Sequence, residues 1–263
     1  VAVSTATRRA RLPGTVISPG FAVGFASVIE PLALPSTPAT ITAEDVEREL
    51  ARLHDATDLV REHLEEHVRG VHAPATEDWP QIVAAHLLVL DDHGFFRSIE
   101  DRIRNQLLPA DRAVEKAFHA AAARLAASED CYMRARAEDL RDICASVRRA
   151  LAYGGAALAL QTAPRQPTVL VVPELRPSIA LRARQDGSVA VVTESAVQVS
   201  HGAILLRAAG IPTLGGISVD ESEIRDGTRL LVDAERGELI IHPVERDIDV
   251  TRRRLGERGP TPI

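Results

Sequence analysis

The spacing of apolar positions along this chain changes twice. Residues 12–34 interleave Val, Ile and Phe with Gly and Pro, which predicts two short extended segments around the turn Ser18-Pro19-Gly20. A proline-rich connector, Pro31 to Thr40, follows. From Thr42 to about Tyr153 the spacing is helical. Thr42 reads as an N-cap with Asp45 three residues on, a variant of the capping box. Leu50, Leu53, Ala56, Leu59, Val60 and Leu64 then form one apolar stripe. Further helices are predicted over Trp79–Leu90, Phe95–Asn105, Ala110–Ala127 and Ser128–Ala152. Pro80 lies in the first turn of one, and Gly154-Gly155 ends the last. Helices joined by short connections predict an antiparallel bundle.

After Pro164 the spacing becomes that of strands. Thr168–Val172, Ser188–Thr193, Thr213-Leu214, Arg229–Val232 and Glu238–Ile241 are rich in Val, Ile and Leu. The dipeptides Asp186-Gly187, Gly215-Gly216, Asp226-Gly227 and Arg236-Gly237 separate them as turns. Short helices are expected over Ser178–Arg184 and Ala203–Ala209. The fold class is therefore an α/β subdomain carrying an inserted all-helical bundle. The expected division is residues 1–40 and 154–250 for the α/β part, 41–153 for the bundle, and 251–263 for a linker or tail.

Composition narrows the function. The chain has 263 residues, 45% hydrophobic and 26% charged, which suits a globular protein with a real core. Aromatics at 3% and a net charge of -6 argue against nucleic acid. No apolar run approaches the roughly 18 residues of a membrane helix. Val1 to Arg11 lacks the apolar stretch of a secretory signal. The chain starts at Val1 rather than Met, as a processed or partial chain does. Cys131 and Cys144 lie thirteen residues apart in one helical stretch, on roughly opposite faces and unsuited to a disulfide. That fits a reducing cytoplasm.

One histidine stands out. His201 follows a predicted strand and opens a short helix in Ser200-His201-Gly202-Ala203-Ile204. A helix start offers unpaired N–H groups and partial positive charge, which suits phosphate. A neutral imidazole is a good nucleophile near neutral pH. The alternative is an ordinary hydrogen-bonded structural histidine.

Ser200, His201, Ile204, Arg207, Gly210, Ile211 and Pro212 match a longer pattern. The segment resembles the phosphohistidine stretch of the phosphoenolpyruvate-utilising enzymes, Gly-Gly-x-Thr-Ser-His-x-x-Ile-x-Ala-Arg followed by Gly-Ile-Pro. Ile17-Ser18-Pro19-Gly20-Phe21-Ala22-Val23-Gly24, Ala85-His86-Leu87-Leu88-Val89-Leu90-Asp91-Asp92, the stretch Arg134–Ile143 and Pro173-Glu174-Leu175-Arg176-Pro177-Ser178 resemble the enzyme I branch of the bacterial sugar phosphotransferase system, in the same order. The resemblance implies an α/β phosphohistidine subdomain with an inserted helical subdomain that binds HPr, a small phosphocarrier protein. It implies His201 as the phosphorylated nucleophile, with Ser200, Gly202 and Arg207 positioning phosphate. It implies His86, Asp91 and Asp92 on the partner surface. Phosphoenolpyruvate and Mg²⁺ would bind a carboxy-terminal barrel beyond this chain, so no cofactor is expected here. A monomer is expected, because the family dimerises through that other half.

Departures from the pattern are specific. The family's Gly-Gly-x-Thr is Ala196-Val197-Gln198-Val199, and Ala180 stands where the family has Thr, while Glu194 is a near match to the acidic residue just before the glycines. Lost glycines restrict close backbone approach to phosphate. Each lost hydroxyl removes a hydrogen bond of about 1 kcal/mol. A degenerate, non-catalytic binding module is thus the second reading. A dikinase-like swivelling domain is a third, weakened by the inserted bundle. His86 reads either as a partner contact or as a packing residue. Arg207, six residues after His201, reads either as a phosphate partner or as structural. His63 and His67 at i, i+4 suit a metal or, more simply, a solvated face. The stretch Glu44–Glu66 holds nine acidic residues against three Arg, either a solvated face or one that steers a basic carrier.

Overall fold

The computed structural model describes residues 9–29, 34–69, 78–154, 166–198, 200–218 and 224–256. The chain divides into two compact units. One comprises Val1–Pro31, Gln161–Leu175 and Ile179–Ile263, the other Leu32–Leu160 with Arg176–Ser178.

The first unit is built on strands β1 (Ala10–Pro13), β2 (Thr15–Ser18), β3 (Phe21–Val28), β4 (Thr168–Val172), β5 (Ala190–Thr193), β6 (Thr213–Gly215), β7 (Arg229–Asp233) and β8 (Glu238–Ile241). They form one sheet in the order β1-β8-β7-β3-β4-β5-β6-β2. The run β3-β4-β5-β6 is parallel, and β7, β8, β1 and β2 pair antiparallel. Every residue of β4 and β5 is buried, as strands covered on both faces require. Val169, Val171, Val192, Leu214, Leu230 and Val232 anchor one core cluster. Leu231 and Ile240 form a second with Ile248.

The sequence pattern hid β1. Only Ala10 and Leu12 supply its apolar side, and Arg9, just before it, and Arg11 on its exposed side both bind the Asp247 carboxylate, Arg11 at 3.1 Å. Asp247 belongs to a helix over Glu245–Gly256. From the sequence the tail reads as a frayed helix and a linker; the helix begins earlier, at Glu245, and buried Ile248 and Thr251 hold it down. Residues 257–263 lie outside the described residues.

Among the described residues the second unit contains α1 (Val46–Arg69), α2 (Asp78–Leu90), α3 (His93–Gln106), α4 (Ala110–Ala126) and α5 (Cys131–Tyr153). Leu53, Ile99, Ile103, Val114, Phe118 and Val147 are fully buried between them. Phe95 stands edge-on to Phe118 with ring centres 4.8 Å apart. Arg148 of α5 binds Asp111 at 2.6 Å and Glu115 at 2.7 Å on α4. Buried Glu49 accepts from the Ala110 N–H at 2.9 Å, satisfying a donor at the start of α4. The Asp45 carboxylate takes the Thr42 hydroxyl and N–H, which holds its pKa below the usual value.

Two expected boundaries move. Residues 34–40 belong with the helices, because Ile41 N–H donates to Leu107 and Thr37 binds Asp111 and Arg112. The last helix starts at Cys131 rather than Ser128, whose hydroxyl instead accepts from Asp130 N–H in the connecting turn. The Cys131 side chain lies outside the described residues. Cys144 is buried, which pushes its thiol up to about 12 and leaves it unreactive.

Candidate functional site

Helix α6 (Pro177–Gln185) joins β4 to β5, and His201 is the first residue of α7 (His201–Ala208), the crossover helix between β5 and β6. The crossover between these parallel strands brings the chain off the end of β5 and into the helix start. Ser200 is in extended conformation, and its hydroxyl accepts from Ala203 N–H at 3.2 Å. That is a helix cap of the usual kind. It places His201 in the first turn, at the positive end of α7, where Gly202 follows and backbone N–H groups have no intrahelical partner. His201 itself is half-buried.

The segment before His201 is fastened at several points. Thr193 Oγ1 accepts from Ser195 N–H and donates to the Pro173 carbonyl, both at 3.2 Å. The Gln198 amide reaches the Val16 carbonyl at 3.1 Å. Arg207 donates to Ile17 O at 2.8 Å and 3.2 Å, and to Gln198 O at 3.3 Å. A Cβ on Gly215 would overlap the Ser195 carbonyl, so only glycine lets β6 approach this segment. Sequence reasoning missed Gln198 and Thr193, which carry no motif, and took Gly215 for a turn residue.

Of the two readings of Arg207, phosphate partner and structural residue, these contacts fit the structural one. Its guanidinium ties α7 to β2 and to the segment ahead of His201. Val197 is 49% exposed and Ala180 is fully buried, where the family pattern has a glycine and a threonine. Val199 lies outside the described residues.

In the helical unit, His86 does not lie on the surface. It is 2% exposed, on the α2 face turned to α5, with Nε2 3.7 Å from the buried Asp139 carboxylate. That separation exceeds a hydrogen bond, and among the described residues Nε2 has no hydrogen-bond partner. The expectation that His86 contacts a partner is therefore corrected: helical periodicity turns it to the core. The exposed face of α2 carries Gln81, Ala84 and Leu88 instead, with Leu88 72% exposed. Asp91 and Asp92 are exposed beyond it. Asp92 caps α3 through Phe95 N–H at 2.9 Å, and Asp91 pairs with Arg61 at 3.2 Å. The acidic stripe of α1 is partly neutralised, since Glu47 binds Arg104 and Asp58 binds Arg61. The Asp142 carboxylate holds the Ser178 hydroxyl at 2.7 Å and its N–H at 2.9 Å, joining two of the segments that carried the resemblance. Among the described residues no three His, Cys, Asp or Glu side chains gather as metal ligands. The His67 side chain lies outside them. No helix among them is long and apolar enough to cross a membrane.

Comparison with known proteins agrees with this architecture. Residues 13–136 match the family model described as PEP-utilising enzyme, N-terminal, and residues 164–237 match PEP-utilising enzyme, mobile domain. The phosphoenolpyruvate-protein phosphotransferase of Geobacillus stearothermophilus is 29% identical over 92% of this chain and 41% of its own length. That of Cupriavidus necator is 26% identical over 94% of this chain and 44% of its own. The chain thus spans well under half of these relatives. A solution structure of an enzyme I protein, nEIt, superposes with a TM-score of 0.75 at 24% identity, covering 94% of this chain and 99% of that one. The N-terminal domain of Enzyme 1 - Nitrogen gives 0.63 at 24% identity, over 93% and 99%. At these identities the two structures establish the fold alone.

Proposed function

Because this chain belongs to the phosphoenolpyruvate-utilising enzymes, we propose that it carries a phosphoryl group on His201 and exchanges it with a small phosphocarrier protein of the HPr type. The observation that carries this reading is the half-buried imidazole at the capped start of α7. Transfer is in line. As the P–N bond to the carrier's imidazole breaks, its electron pair stays on that departing ring and a new P–N bond forms to a ring nitrogen of His201. Such a transfer depends on positioning and charge stabilisation more than on proton movement. First-turn N–H groups of α7 supply that stabilisation, Gly202 first among them. Ser200 fixes the helix start, and Arg207 with Gln198 holds the approach segment. The exposed end of α2, Leu88 with Asp91 and Asp92, is the surface offered to the carrier. In the longer relatives' arrangement, phosphate would come from phosphoenolpyruvate bound with Mg²⁺ in a carboxy-terminal barrel.

Incubation with radiolabelled phospho-HPr tests this. Acid-labile label is expected on the wild-type chain and absent from His201→Ala. Label that persists in the variant overturns the assignment. A second reading, a binding module without transfer, draws on the Val197 and Ala180 side chains in place of glycine and threonine. HPr binding with no label on the wild type would establish it instead.

A further inference from the structure

A second feature lies at the other end of the strand order from the β5-β6-β2 region that holds the His201 segment. The helix over Glu245–Gly256, α8, and the strands β1, β8 and β7 enclose a cleft of about 330 Å³. Arg9, Arg11, Arg236, Arg246 and Arg254 line it, against Asp233, Glu238 and Asp247. Five guanidinium groups facing three carboxylates leave two positive charges in excess.

The carboxylates are already engaged. Asp247 is 6% exposed and accepts from Arg9, from Arg11 and from Val244 N–H at 3.0 Å. Asp233 is 2% exposed and accepts from Arg254 and from the N–H groups of Glu235 and Arg236. Glu238 lies 3.5 Å from Arg11. These pairs clamp α8 to the sheet. The side chains of Arg236 and Arg246 take no part in the clamp. Both are exposed, and neither has a carboxylate partner among the described residues. Two added positive charges beside a completed clamp repel their neighbours and weaken it. An anion in the cleft relieves that repulsion.

We propose that this cleft binds a small phosphomonoester. Guanidinium forks match phosphate oxygens two at a time, which favours a phosphate over a lone halide or a neutral ligand. The volume lies at the small end of ligand pockets, room for one compact organic body rather than a dinucleotide or a folded partner. Val250 and Ile240 supply apolar wall for that body, and Val244 stands at 49% exposure on its rim. The site is separate from His201 and stands or falls independently of it.

Calorimetric titration at low salt tests the proposal, with adenosine 5′-monophosphate and 3-phosphoglycerate as probes and adenosine and inorganic phosphate as controls. Saturable binding of at least one probe is expected, tighter than inorganic phosphate. Arg236→Gln with Arg246→Gln should weaken it at least about tenfold, and His201→Ala should leave it unchanged. On the unmodified chain, the bound probe should slow phenylglyoxal modification of Arg236 and Arg246, so the result does not depend on the variant folding. No saturation by either probe up to about 10 mM overturns the site. So does binding that the double variant retains or that protects neither arginine, and equal affinity for inorganic phosphate reduces it to an adventitious ion only.

Discussion

At the scale of single residues, the placement of His201 rests on its neighbours. Ser200 offers one hydroxyl to one backbone N–H. Ser200→Ala should cost about 1 kcal/mol of stability through the lost cap. It should also slow acquisition of label from phospho-HPr, because the helix start then frays under the imidazole. A stability loss seen by urea denaturation with an unchanged labelling rate would mean the cap serves the fold alone. Gly215 is less forgiving. Its α-carbon faces a backbone carbonyl, which cannot rotate away as a side chain does. Gly215→Ala should destabilise by about 1–3 kcal/mol, measured the same way. Ser200 was legible in the sequence through the motif around His201 rather than as a cap. Gly215 was not, since a glycine required by close approach looks the same as a glycine in a turn.

At the scale of elements, α8 shows how a charged helix stays attached. Burial pushes the Asp247 carboxyl up, but the Val244 N–H, Arg9 and Arg11 outweigh it, so its pKa falls below the ordinary 3.8. A lowered folded-state pKa stabilises the protein above the unfolded value and loses that contribution as pH falls through the folded one. Asp247→Asn should therefore be less stable than wild type near neutral pH. The partners Arg9 and Arg11 are about half exposed, which limits the difference to about 1–2 kcal/mol. The difference should shrink as pH drops below 3.8. Urea midpoints of both proteins across that range measure it, and a gap independent of pH would place the effect in packing instead. The same charges explain why β1 escaped the sequence: Arg11 in it and Arg9 just before it look solvated until their carboxylate arrives from a residue more than two hundred positions away. The helices of the bundle, by contrast, were visible at nearly their full length, because each carries its own apolar stripe.

At the scale of the whole molecule, the chain holds a phosphohistidine candidate and an acidic, partly apolar helix end in two separately cored units. It matches relatives over about two fifths of their length. The chain by itself should take label from phospho-HPr and not from phosphoenolpyruvate with Mg²⁺. Label from phosphoenolpyruvate alone would show that a donor site lies within these residues. Light scattering should give the mass of a single chain.

The helices of the bundle, the insertion of a helical unit into an α/β one, and His201 as the candidate nucleophile were determined by the sequence. Periodicity, turn residues and a contiguous motif are local properties, written in neighbouring residues. Other features were decided only by tertiary structure: the inward turn of His86, the diversion of Arg207 to the Ile17 and Gln198 carbonyls, the closeness that Gly215 permits, and the arginine-lined cleft beside α8. Each depends on which distant group a side chain meets, and a polar side chain's role is fixed by that partner rather than by its position along the chain.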